Sequence, residues 1–209
     1  MQKLMRIERG QALIVLIFVL AGMVVLACGL AETASQVVDR LKLQNLADGS
    51  ALQAGVVMAD GLNLIALTNA SMLALGIGAF FSGGKTLSYI RKIQRFQDQL
   101  IRSTPKLAAY SALLFGIGEE MDFRYLMEKP EMRVKRRYLK FLWFKIPLWC
   151  EDASDIHRRK TTVAFFRNHG GDWATTASSF PRGGRLIGKY ILWPLPSPDY
   201  EPYLVPAGN

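Results

Sequence analysis

Cys150, His157 and His169 are the side chains of this chain best suited to hold a metal, with Asp152 and Asp155 near enough in sequence to add oxygen ligands. A structural zinc takes four ligands, usually as two closely spaced pairs. Here six and eleven residues separate the three and no pair exists, so no metal is expected. The same Cys and His types would make a nucleophile only if folding brought them together, which spacing does not show. Gly83-Gly84-Lys85-Thr86 matches the end of a phosphate-cradling loop, yet the position where that loop needs its first glycine holds Ala79. A turn ending a helix explains it. Glu119-Glu120 are sequence neighbours, which do not face one another on a helix, so they read as a solvated helix end. No catalytic residue, cofactor or small-molecule substrate is inferred, and the chain is read as a non-enzyme.

Arg133, Lys135, Arg136, Arg137, Tyr138 and Lys140 could neutralise phosphates and stack on bases. No nucleic-acid module accompanies them, and a basic strand edge that discourages aggregation is the expected role. Nucleic acid is therefore not expected as a partner. The chain has 209 residues and a net charge of +9. Residues 1–121 carry 11 basic and 8 acidic side chains and residues 122–209 carry 15 and 9, so the basic excess lies mainly in the C-terminal part. Half the residues are apolar, which excludes a disordered chain, and two cysteines exclude a disulfide-stapled miniprotein. No bridge between Cys28 and Cys150 is expected.

What positions these residues is first of all a membrane segment. Residues 11–30, QALIVLIFVLAGMVVLACGL, carry no charge. About 20 apolar residues in a helix span a ~30 Å hydrocarbon core. Leu13, Ile14, Ile17, Phe18, Val24 and Val25 are the expected lipid-facing anchor, with membrane lipid as a partner. Lys3, Arg6 and Arg9 precede it, which predicts a cytoplasmic N-terminus and a body outside the cytoplasm. Two alternatives stay open. A cleaved signal peptide has a shorter apolar region, of about 7–15 residues. Val25-Leu26-Ala27-Cys28 loosely fits a lipoprotein signal, which would lipidate Cys28 and anchor the chain by acyl methylenes.

The expected fold is α+β: a long membrane-spanning N-terminal helix running into a helical region, followed by a small antiparallel sheet domain. The expected segments are a basic leader 1–10, the membrane helix 11–30, a helical region 31–121, a basic β-rich domain 122–193 and a proline-rich extended tail 194–209. Val37, Val38, Leu41, Leu43 and Leu46 recur at helical steps. Ala47, Ser50, Ala51, Ala54 and Gly55 follow as a run of small residues that lets another element approach closely; they are the expected helix-packing interface with partner subunits. Residues 62–81 form a second apolar stretch, broken by Asn63, Thr68, Asn69 and Ser71, and are read as a buried helix rather than a second span. An amphipathic helix over 86–104 should break at Pro105, with another short helix over 106–118. Residues 132–149 read as one strand, and 161–167 and 185–193 as two more.

Arg9-Gly10-Gln11-Ala12-Leu13, the apolar run to Leu30, and Leu43-Gln44-Asn45-Leu46-Ala47-Asp48-Gly49-Ser50-Ala51-Leu52 resemble the N-terminal region of TadE/TadG-like proteins of tight-adherence (Flp) pilus-assembly systems. The resemblance covers about residues 6–75; Leu46 and Gly49 depart from the family's usual pattern. It implies a single-pass bacterial inner-membrane protein with a periplasmic or extracellular body, a pilin-like architecture, and other pilus or assembly subunits as partners. A long helix projecting from the membrane onto a small sheet also resembles type IV pilin architecture; Gly10 then resembles a leader-cleavage point before Gln11, although the glutamate such pilins carry five residues into the mature chain would fall at Val15.

Overall fold

The computed structural model describes residues 2–82, 84–117, 123–141, 144–152, 159–168, 172–182 and 200–205. The architecture is α+β, with a long helix, a second helix and two small antiparallel sheets. The chain divides after Lys42 into two compact units. Helix α1 (Gln2–Phe81) belongs to both. It contains no proline, and its glycines are few enough for neighbouring strong helix formers to carry the chain through.

The first unit is helical from Gln2 onward, and its side chains from Leu13 to Val38 are exposed on all sides. In the second unit one face of α1 is sequestered. Ala47, Ala51, Ala54, Met58, Leu62, Ile65, Asn69 and Met72 recur at three- and four-residue steps and are buried. Residues 62–81 are thus buried on one face, while Leu64, Leu67, Ile77 and Phe81 remain exposed. α1 stops at Phe81, and Gly84 takes the left-handed φ of +89° that lets the chain turn back.

Helix α2 (Leu87–Leu114) returns antiparallel to α1. Thr86 reaches the carbonyl of Leu75, Gln97 reaches Thr68 and Asn69, and Ser50 reaches the carbonyl of Ala112, so partners descend α1 as they ascend α2. The expected break at Pro105 does not occur: α2 runs through it. A proline deprives the helix of one N–H and crowds the preceding turn. Here Gln97 and Thr104 before it, and Ala108 and Ala112 after it, are buried together, and that packing holds the helix.

Six strands follow: β1 (Phe123–Glu128), β2 (Val134–Phe141), β3 (Phe144–Asp152), β4 (Thr161–Asn168), β5 (Asp172–Arg182) and β6 (Glu201–Val205). One sheet has the order β1-β4-β5-β6, all antiparallel, and β2-β3 forms a separate two-stranded sheet inserted between β1 and β4 in sequence. The single strand expected over 132–149 is therefore a hairpin, Phe141 pairing with Phe144. β1 and β5 were not expected, and β6 lies in the segment read as an extended tail. The strand expected over 185–193 lies outside the described residues. Thr161 to Phe165 of β4 are all buried, as befits a strand with neighbours on both edges and helices over a face. Leu43, Met58, Leu62 and Ile65 of α1, Ala108 and Ala112 of α2, and Val163, Phe165, Ala177 and Cys150 of the strands form one core. The change of character expected near residue 122 is a change of secondary structure inside one unit.

Candidate functional site

Leu13, Ile14, Ile17, Phe18, Val24 and Val25 are 54–73% exposed. A water-facing helix of this composition would leave an uncharged apolar cylinder in solvent, at a cost of about 25 cal/mol per Å². A helix long and apolar enough to cross a membrane is therefore present, with its own backbone groups internally paired as lipid requires. Exposed apolar residues continue past Leu30, through Val37, Val38 and Leu41. Cys28 is an exposed free thiol, one turn before Thr33, whose hydroxyl donates to the carbonyls of Gly29 and Leu30 at 3.0 Å. Gly10 and Gln11 lie within α1, and their side-chain environments are outside the described residues.

The expected packing interface sits elsewhere than anticipated. Ala47, Ser50, Ala51 and Ala54 are fully buried in the chain's own core, and Gly55 is also buried. Ser50 donates to the carbonyl of Ala112 at 2.6 Å, and Ser179 of β5 donates to the carbonyl of Ala51. A Cβ on Gly55 would lie 3.0 Å from Ser179 Oγ and 3.1 Å from Pro202. This surface serves tertiary packing and is not open to a partner subunit.

Two asparagines that interrupt the apolar stretch each bind a backbone N–H and C=O of the strand region. Asn69 donates from Nδ2 to the carbonyl of Cys150 and accepts from the Cys150 N–H, both at 2.9 Å. Asn63 makes the same pair of bonds with the backbone of Tyr200, at 3.1 and 3.0 Å. Each amide offers a donor and an acceptor side by side, which is what the edge of a strand requires. Asn69 thereby clasps β3, and Asn63 clasps the segment entering β6. Gln97 of α2 joins the first clasp, donating to Asn69 Oδ1 at 3.0 Å and to Thr68 Oγ1 at 2.9 Å. A buried network pays its way only when its members are satisfied together, and this one links both helices to a strand.

The Cys150 thiol closes the network by donating to Gln97 Oε1 at 3.2 Å. Burial pushes the thiol above its ordinary pKa, and the neighbouring Arg136 guanidinium opposes that shift without reversing it. A buried, protonated thiol is neither a nucleophile nor a ready metal ligand. His157, His169 and Asp155 of the sequence-level metal set lie outside the described residues, as do Glu119 and Glu120. Lys85 of the phosphate-loop-like turn is exposed, and Thr86 is engaged with Leu75.

From Lys135 onward the basic run falls on β2, but it does not act as one surface. Arg136 turns inward, donating to the carbonyl of Gln94 at 3.1 Å and pairing with Asp98 at 2.5 Å. Desolvation acts against its charge, but the bonds to Asp98 and Cys150 prevail and raise its pKa. Lys135, Arg137, Tyr138 and Lys140 are exposed, with Lys145 opposite Lys140 on β3. Arg133 pairs with Glu131 at 3.4 Å.

Sequence reasoning marked Asn63 and Asn69 as polar interruptions but missed their partners; an uncompensated amide in an apolar run was the available signal. Gln97, Thr104 and Asp98 gave none. No family model, curated protein or solved structure matches the chain.

Proposed function

We propose that the chain is a membrane-anchored structural component of a pilus-like assembly apparatus, of tight-adherence or type IV-related kind, acting by protein packing rather than by catalysis. The observation that carries this reading is the uncovered, uncharged apolar segment 13–30 in a chain whose second unit completes its own core. A segment that finds no cover in its own fold is one that lipid covers. The order of features at the N-terminus, together with a long helix preceding small antiparallel sheets, supports a pilin-like arrangement. The three cations before the apolar run support a cytoplasmic N-terminus and a body outside the cytoplasm, in the setting of a bacterial inner membrane that this reading implies. Partner packing falls to surfaces other than residues 47–55.

Deleting the chain from the cells that make it should abolish assembled surface fibres, seen by electron microscopy, and re-expression should restore them. Normal fibres in the deletion strain would remove the assembly role. Mass spectrometry of the mature N-terminus discriminates the anchors: an intact Met1, a start at Gln11, or a lipidated Cys28.

A second reading has its own observation. Exposed Lys135, Arg137, Lys140 and Lys145 on one hairpin suit a tethered module that captures an acidic ligand or envelope polymer. Salt-sensitive binding of heparin, lost on changing the three lysines to glutamate, would favour it.

A further inference from the structure

At 100° per residue, each helix of the hairpin has three distinguishable sides. On α1, Ser50, Gly61 and Thr68 meet α2, while Gln44, Ala51, Gly55 and Asn69 meet strand residues. Leu64 and Leu67 fall opposite the strand-facing side and are exposed. On α2, Gln97 and Thr104 meet α1, and Asp98 meets Arg136 of β2. Phe96, Leu107 and Leu114 fall opposite Asp98, with Tyr110 beside them, and these four are 45–65% exposed. The helices are antiparallel and carry the strands on the same side, so both apolar stripes lie on one open face.

The stripe on α2 is regular. Phe96, Leu100, Ser103, Leu107, Tyr110 and Leu114 follow in alternating steps of four and three. That spacing is the seam by which one helix receives another. Lys92, Arg95 and Lys106, all exposed, border the stripe along the outer edge of α2, while Arg91 and Arg102 fall toward the side of Asp98. The sole acid of α2 is Asp98, which Arg136 engages. A second copy would bring the same cations to this edge, and like charges beside a helical seam select against pairing. A bilayer surface has no use for a three-four seam with a small polar residue at its centre.

We infer that the open face of the hairpin, seamed by Phe96, Leu107 and Leu114 and by Leu64 and Leu67, docks an amphipathic helix of a different protein whose apolar seam is flanked by Asp or Glu. This deepens the assembly reading and rests on it only for the setting at a membrane.

The test places a photo-crosslinking amino acid at position 67 or 107 of the full chain, in membranes of the cells that make it, with position 135 on β2 as control. Both positions should yield adducts with the same protein, mapped by mass spectrometry to a segment of three-four apolar spacing bordered by carboxylates. Combining Lys92→Glu, Arg95→Glu and Lys106→Glu should lower the adduct yield by about tenfold or more, with thermal unfolding unchanged. Adducts to lipid, to a second copy, to a segment without acidic flanks, or none above the control would each overturn the inference. Resistance of the chain to carbonate extraction, read on the same membranes, reports on the anchor separately, so failure of the anchored reading is told apart from failure of the docking surface.

Discussion

The two halves of α1 are both rich in apolar residues and both carry glycines, yet they meet opposite fates. Gly22 and Gly29 in the first half have no neighbour within 4 Å of an added Cβ. In the second half, a Cβ would come within 2.6 Å of the Phe115 ring at Gly49, 3.0 Å of Ser179 at Gly55 and 2.4 Å of Thr104 at Gly61. Val24 and Val25 are mostly exposed, whereas Ile65 and Met72 are buried. Apolar character tells that a helix must be covered, and the distribution of small and polar residues tells by what. Where Gly, Ser and Asn recur on one face, backbone and strand edges approach and the cover is protein. Where large aliphatic residues run all round without polar relief, the segment is long and apolar enough to take lipid as its cover, as proposed above.

The comparison breaks most decisively at the first half. Leu20→Arg with Val24→Arg places two charges where the bilayer centre should be, at a cost of about 6 kcal/mol on insertion scales. The double variant should move from the carbonate-resistant pellet to the soluble fraction while the second unit unfolds at its usual temperature. Retention in the pellet would mean that lipid does not cover this segment.

The next largest effect belongs to the clasp in the second half. Asn69→Ala strands the N–H and C=O of Cys150 and a bond of Gln97, at about 3 kcal/mol, and should lower Tm by roughly 6–12 °C. Asn63→Ala, at a half-buried site, should cost less, and membrane retention should not change in either. Equal, negligible losses would show that the strands are held by the core alone.

Gly61→Ala should cost about 1–3 kcal/mol by overpacking against Thr104, and Thr104→Ala should return most of it in a double-mutant cycle. Gly22→Ala, with open space around it, should leave stability level or slightly higher. A matching penalty at both glycines would erase the distinction between the halves.

The smallest effect is on pH dependence. Because burial raises the folded-state pKa of Cys150, its contribution is complete below the ordinary thiol value of about 8.5 and is lost as the pH climbs past it. Chemical denaturation from pH 7 to 10 should show a decline that Cys150→Ser flattens; an identical decline in that variant would assign it to other groups.

Part of the helical half was legible before the structure. The uncharged run 11–30, the end of the first helix near Gly84 and the burial of 62–81, which holds for one face of it, follow from local composition and period. Pro105 misled because proline's penalty is local, whereas Thr104, Ala108 and Ala112 draw their burial from a helix some fifty residues away in sequence. The strands were less legible. The hairpin of β2 and β3 reads as one alternating run because no glycine or proline stands between Phe141 and Phe144, where the chain reverses; the run's proline, Pro147, lies instead at the register shift, opposite Tyr138. β5 was hidden by Pro181, which lies opposite Pro202 of β6, so that neither ring has to supply a ladder donor the other needs.

By itself the amino-acid order determined that a long apolar helix begins this chain, that it must be covered, and that a basic α+β body follows, since these depend on composition and on periods only a few residues long. The tertiary structure alone decided that Ala47, Ser50, Ala51, Ala54 and Gly55 face inward to α2 and the strands, that Asn69 and Gln97 meet Cys150, and that Leu67 and Leu107 share an open face. Those outcomes rest on residues far apart in sequence finding one another, and such pairings are set by the joint packing of helices and sheets.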